Sequence, residues 1–171
     1  MNLIAAVSKD WGIGKGNDLL CHIPKEMKFF RETTLGKVIV LGRKTLESFP
    51  GKKPLKNRTN IVLTRDAHYA AEDVLLCHSP AELLELLKQY DTADVFICGG
   101  EQIYNLLLPY CDTAYITKVD AAADAEKFMV NLDGQPDWEL AEESEPLEDN
   151  GYQFTFCTYK KRTDYDMHPK S

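Results

Sequence analysis

The strongest constraint on the fold is a set of short apolar runs without polar alternation. NLIAAVS (2–8), KVIVLG (37–42), TNIVLT (59–64) and DVFICGG (94–100) are each of strand length and apolar on both faces. Such strands belong inside a mainly parallel sheet, with helices packed on both sides. DVLLC (73–77), TAYITKV (113–119) and QFTFCTYK (153–160) read as further strands, the last two as antiparallel neighbours. PAELLELLKQY (80–90) has apolar residues at helical spacing, and EQIYNLLL (101–108) reads as a helix stopped by Pro109. The pattern predicts an α/β fold.

A length of 171 residues and a hydrophobic content of 44% suit one domain with a packed core. No repeat or linker interrupts it. The domain is expected over 1–162, followed by a polar, non-periodic tail over 163–171. ELAEESEPLEDNG (139–151) is acidic and reads as a solvated strand edge and loop. The net charge of −7 argues against nucleic-acid or anionic-membrane binding, which need a basic surface. The five cysteines, Cys21, Cys77, Cys98, Cys111 and Cys157, form no CxxC pair. Cys77, Cys98 and Cys157 lie in strand-like runs, which predicts reduced core thiols and a reducing compartment. MNLIAAVSKD does not read as a signal peptide, and no run approaches the roughly 18 apolar residues of a membrane span. A cytoplasmic monomer is expected.

Several motifs carry chemistry. VSKDWGIGKGNDLL (7–20) is a glycine-rich segment at a strand end, but neither a GxGxxG fingerprint opening a helix nor a phosphate loop. It reads either as a cover over a site or as an ordinary long loop. GRKTLESF (42–49) puts Gly42, Arg43, Lys44 and Thr45 at a strand end and helix start, an arrangement that suits an anion. Thr64 and Arg65 end another strand, and in open α/β sheets ligands bind at the strands' carboxyl ends. ICGGEQIY (97–104) is a strand, a glycine pair and a helix. In CHIPKEMKFF (21–30), Pro24 opens a helix and Glu26 shares a side with Phe30. Glu26 can be a first-turn acid suited to the helix dipole, or a carboxylate held in an apolar site. No GxSxG or cysteine-protease pattern is present, and the four histidines lack ligand spacing, so a metal site is not expected. What remains is one carboxylate, much backbone and a cofactor.

In their order and spacing, LIAAVSKDWGIGKGNDLL, IPKEMKFFRETTLG, VIVLGRKTLESF, RTNIVLTR, VFICGGEQIY and AYITKVDA resemble the dihydrofolate reductase family over roughly residues 2–160. The resemblance implies an eight-stranded, mostly parallel sheet with an antiparallel C-terminal edge strand and four flanking helices. It implies reduction of 7,8-dihydrofolate to tetrahydrofolate by NADPH, and binding of antifolates. Glu26 falls on the family's carboxylate in the pterin pocket, and Thr117 would share the pterin amino group with it. Ile4, Ala5 and Cys98 would face the pterin, the carbonyls of Ile4 and Cys98 meeting its edge. Met27, Phe30, Phe49 and Leu55 would line the walls, and Arg58 would pair the substrate's glutamate carboxylate. Ala6, Ile13, Gly14, Asn17 and Leu19 would cover the nicotinamide. Gly42, Arg43, Lys44, Thr45, Leu63, Thr64 and Arg65 match the cradle for the adenosine 2′-phosphate, which favours NADPH over NADH. Gly99, Gly100, Glu101, Gln102, Ile103 and Tyr104 match the pyrophosphate turn, with a cis bond between Gly99 and Gly100.

The chain departs from the family pattern at three site positions. Cys21 stands where tryptophan is usual, and Glu26 where bacteria more often have aspartate. Glu101 adds a negative charge beside the pyrophosphate turn, which is unfavourable unless it points away. Two other readings fit part of the pattern: an NADPH-dependent pyrimidine reductase on the same fold, and a non-catalytic nucleotide-binding module. The latter needs no carboxylate in an apolar pocket.

Overall fold

The computed structural model describes residues 1–15, 22–122 and 124–162. Each apolar run becomes a strand: β1 (Asn2–Val7), β3 (Val38–Gly42), β4 (Thr59–Leu63), β5 (Leu75–Cys77), β6 (Val95–Ile97) and β7 (Thr113–Val119). The acidic segment supplies β9 (Trp138–Glu143) and β10 (Leu147–Asp149), and the chain returns in the long β11 (Tyr152–Lys161). The main sheet runs β10-β11-β7-β1-β6-β3-β4-β5, with β9 on the same side of β11 as β10. Its neighbours from β5 through β7 pair in parallel, and β11 is antiparallel to β7, β9 and β10. The sheet therefore has eight positions, the outermost shared by β9 and β10. The antiparallel C-terminal strand lies one place in from the edge, covered by the segment read as edge and loop.

Alternation along the strands feeds two cores. Leu3, Ala5 and Val7 of β1, with Val38 and Val40 of β3, point into one. Ile4, Ile39 and Leu41 point into the other. Helices α3 (Pro80–Leu87) and α4 (Glu101–Leu107) close the first through Leu83, Leu87, Ile103, Tyr104 and Leu107. Helices α1 (Pro24–Thr34) and α2 (Arg43–Ser48) close the second through Phe29, Phe30 and Leu46. These are the four flanking helices. Phe29 of α1 also stacks on Phe156 of β11, with ring centroids 4.6 Å apart.

The glycine-rich segment is more ordered at its start than a loop reading implies. Gly12–Gly14 forms β2, paired antiparallel with β8 (Lys127–Phe128). Trp11, with φ 62°, is buried in the first core and meets Tyr159 edge-to-face at 6.0 Å. Lys118 lies over both rings and pairs with Asp133 at 2.7 Å, while the Tyr159 hydroxyl donates to the same carboxylate at 2.6 Å. Cys77, Cys111 and Cys157 are buried and unbridged, and Cys98 is free and half-buried. Among the described residues no helix is long and apolar enough to cross a membrane.

Candidate active site

Strands β6, β3 and β4 are neighbours and run the same way, so their carboxyl ends open on one sheet edge. That edge brings together three segments distant in sequence: Gly42–Thr45, Thr64–Arg65 and Gly99–Tyr104. The Gly42 N–H donates to the Gly99 carbonyl at 2.9 Å, which locks the first to the third. The Gly99–Gly100 peptide is cis, as the resemblance implies. Gly99 has φ +109°, and a Cβ there would lie 3.2 Å from the Tyr104 ring, so the turn has room only for glycine. Leu63, Thr45 and Ile103 are partly or fully buried around this turn, whereas Lys44, Arg65 and Gln102 are exposed.

The basic residues of this edge are not equivalent. Among the described residues Lys44 and Arg65 have no ion-pair partner. Arg43 is held by Glu47 at 3.2 Å and Asp66 at 3.5 Å, and it lies over the Tyr69 ring. Arg43 is thereby restrained by two carboxylates of the protein itself. The His78 Nδ1 lies 3.0 Å from the Thr64 carbonyl, which can only accept, so this nitrogen carries the proton. The scattered histidines gave no hint of that link in sequence.

Beside this edge, pairing between β1 and β6 stops at Leu3 and Ile97. The chains continue through Ile4, Ala5 and Ala6 on one side and Cys98 on the other. The Ile4 carbonyl accepts a hydrogen bond from the buried Tyr104 hydroxyl at 2.7 Å. Thr117 is buried on β7, opposite Ala6 of β1 and Phe156 of β11. It has the same parity as Tyr115, which packs with the α1 face of the sheet.

Helix α1 carries Glu26 over this region. Loss of water alone pushes the Glu26 carboxyl up to about 7 from its ordinary 4.5. The side chain is partly open, but the surrounding protein mass is enough to disfavour the charged form. Burial first, then the Cys98 thiol and the Glu26 charge, raise the Tyr104 hydroxyl, which puts these groups in one electrostatic neighbourhood. Among the described residues neither the Glu26 carboxylate nor the Thr117 hydroxyl has a hydrogen-bond partner. The side-chain cap that the first-turn position allows is not formed.

The helix start is instead held from across the fold. The Asp149 carboxylate accepts from the Lys25 backbone N–H at 2.8 Å, and Asn150 Nδ2 donates to the His22 carbonyl at 2.7 Å. Sequence reasoning missed both residues, since each lies more than a hundred positions from its partner.

Further along, Phe30, Phe49 and Leu55 pack together against the second core, while Met27 stays exposed. Arg58 donates to the Thr34 hydroxyl at 2.8 Å, the Arg31 carbonyl at 2.7 Å and the Lys56 carbonyl at 2.6 Å. Three of its five N–H groups are thereby used to aim the fork, leaving two for a ligand. Ile13 is half-buried and Gly14 buried in β2. Asn17, Leu19, Cys21 and the 163–171 tail lie outside the described residues. Glu101 does not crowd the turn: its carboxylate accepts from the Phe128 backbone N–H at 2.7 Å.

The family model for dihydrofolate reductase matches residues 1–161. The chain belongs to the dihydrofolate reductase family. It is 35% identical to the dihydrofolate reductase of Staphylococcus haemolyticus, over 94% of this chain and 95% of that one. It is 37% identical to that of Neisseria gonorrhoeae, over 93% and 96% of the two chains. Among solved structures, the dihydrofolate reductase of Enterococcus faecalis complexed with NADP(H) and RAB-propyl superposes with a TM-score of 0.83 at 35% identity, covering 94% of this chain and 95% of that one. With the dihydrofolate reductase family come NADPH-dependent reduction of dihydrofolate to tetrahydrofolate and the binding of antifolate inhibitors. A pyrimidine reductase and a non-catalytic nucleotide module are not favoured.

Proposed function

We propose that Glu26 is the catalytic carboxylate with which this chain promotes reduction of 7,8-dihydrofolate to 5,6,7,8-tetrahydrofolate by NADPH. The observation that carries this is the Glu26 carboxylate, unpartnered among the described residues and pushed up to about 7 by loss of water. A group that titrates there holds or releases a proton at neutral pH, as promoting protonation of the pterin N5 requires. Glu26 would hold the pterin ring nitrogen and amino group, with Thr117 sharing the amino group. The Ile4 and Cys98 carbonyls would meet the same edge, and Ala5 its flank. Phe30, Phe49, Leu55 and Met27 would enclose the rest, and Arg58 would fork onto the substrate's glutamate carboxylate.

The residues on the sheet edge fit the cofactor. Lys44, Arg65, Thr64 and Thr45 offer two cations and two hydroxyls for a 2′-phosphate, with Gly42, Leu63 and the restrained Arg43 framing them. Gly99, Gly100, Gln102, Ile103 and Tyr104 form the turn for the pyrophosphate, and Ala6, Ile13 and Gly14 the wall for the nicotinamide. When bound, NADPH supplies the hydride that reduces pterin C6. The chain's own contribution is to orient the substrate, exclude water and poise the Glu26 proton.

We further infer a single domain over residues 1–162, acting as a cytoplasmic monomer in one-carbon metabolism. The net charge of −7 supports the absence of nucleic-acid and anionic-membrane partners. The decisive assay follows loss of NADPH absorbance in the near ultraviolet, with and without dihydrofolate and with an antifolate added. Dihydrofolate-dependent, antifolate-sensitive loss is expected from the wild type, and sharply reduced loss from Glu26→Gln. A wild type that consumes no NADPH with dihydrofolate defeats the functional reading; a fully active Glu26→Gln removes Glu26 from it.

A further inference from the structure

Glu101 opens α4 directly after the Gly99–Gly100 turn, yet its carboxylate reaches away from that turn to the Phe128 backbone N–H at 2.7 Å. Phe128 belongs to β8, and β8 carries β2: Gly12 pairs with Phe128 and Gly14 with Lys127. Two further bonds weld this ribbon, from the Met129 N–H to the Trp11 carbonyl and from the Glu126 N–H to the Gly14 carbonyl, both 2.9 Å. Ile13 sits between the paired glycines and packs on the first core. A continuous path therefore runs from the turn through the Glu101 carboxylate into β8, across to β2, and so to Ile13.

We propose that Glu101 is a positioning residue that ties the β2–β8 ribbon to the Gly99–Gly100 turn, so that the two ends of the cofactor site are set as one unit. The proposal rests on the assignment of that turn and of Ile13 to the NADPH site. A carboxylate accepting a backbone N–H makes a charge-assisted bond. The tether offsets the cost of a negative charge near a pyrophosphate by turning that charge onto the ribbon. The path explains why an acid can stand at this position at all.

Two variants separate a tether from a bare charge. Glu101→Gln keeps an acceptor oxygen and removes the charge; Glu101→Ala removes both. Hydrogen exchange at the Phe128 amide and at Gly12–Gly14, measured without any ligand, reads the tether directly. Faster exchange is expected in Glu101→Ala and near wild-type exchange in Glu101→Gln. In steady-state assays, Glu101→Ala is expected to raise the KM for NADPH several-fold, with a smaller change in the KM for dihydrofolate. Glu101→Gln is expected to hold or lower the KM for NADPH, since it keeps the bond and loses the repulsion. Unchanged exchange in Glu101→Ala, or equal KM shifts in the two variants, overturns the proposal. The exchange result stands even if the assignment of the NADPH site fails, so the two failures are distinguishable.

Discussion

The surroundings of Glu26 and the ends of β3 and β4 are built on opposite electrostatic plans. Over the middle of the sheet, one carboxylate, Glu26, is pushed up to about 7 by loss of water. At the sheet edge, Lys44 and Arg65 stand exposed, without ion-pair partners among the described residues. A group that loses water gains a new proton affinity and can take part in chemistry. An exposed cation contributes attraction that salt screens. The proposed proton-handling group thus comes from desolvating one residue, and the proposed anion site from leaving others in water.

The largest expected effect breaks the first plan. Glu26→Gln should lower the hydride-transfer rate at neutral pH by roughly a hundredfold or more, the scale of a general acid–base contribution. In the wild type the rate should fall as pH rises through about 7, because the protonated carboxyl is lost there. Pre-steady-state measurement across pH should show a flat profile for the variant over that window.

Stability offers an independent reading of the same group. Its folded value of about 7 lies above its ordinary 4.5, so the native state binds more protons between these values. Native stability in the absence of ligands should therefore decline as pH rises from 4.5 to 7, by up to on the order of 3 kcal/mol. Denaturant titrations should show that decline in the wild type and its loss in Glu26→Gln.

Arg58→Leu should weaken dihydrofolate binding by about 2 kcal/mol, the scale of a charge-assisted fork, while leaving NADPH affinity nearly unchanged. A matching loss for NADPH would overturn the placement of Arg58 against the substrate. Lys44→Ala should raise the KM for NADPH by a smaller factor. It should also flatten that KM's dependence on ionic strength, whereas the KM for dihydrofolate should keep its own. The smallest effect belongs to the support of α1. Asp149→Ala removes a helix cap worth about 1 kcal/mol, and Asp149→Asn should restore most of it in thermal unfolding.

The central fold is legible because its signals are local. Runs such as VIVLG and NIVLT have one sensible home, and Pro24 and Pro109 mark a helix start and a helix end within a few residues. The ends of β3, β4 and β6 follow from that, since parallel neighbours must open on one edge. The acidic 139–151 segment was harder. Trp138 is the one buried residue of its two strands, so neither apolar runs nor period announce them. The order within 7–20 was hidden too, because Gly12–Gly14 is a strand only through its pairing with β8.

By itself, the sequence determined the parallel core, the places of the cationic and glycine-rich strand ends, and the helix on which Glu26 rides. Tertiary structure alone decided how those residues behave. It set the Glu26 proton affinity by surrounding the carboxyl with protein. It paired Arg43 with Glu47 and Asp66, aimed Arg58 through Thr34 and Arg31, and turned Glu101 onto Phe128. Propensity and period act over a few neighbouring residues, whereas desolvation and hydrogen bonding depend on what the fold brings alongside.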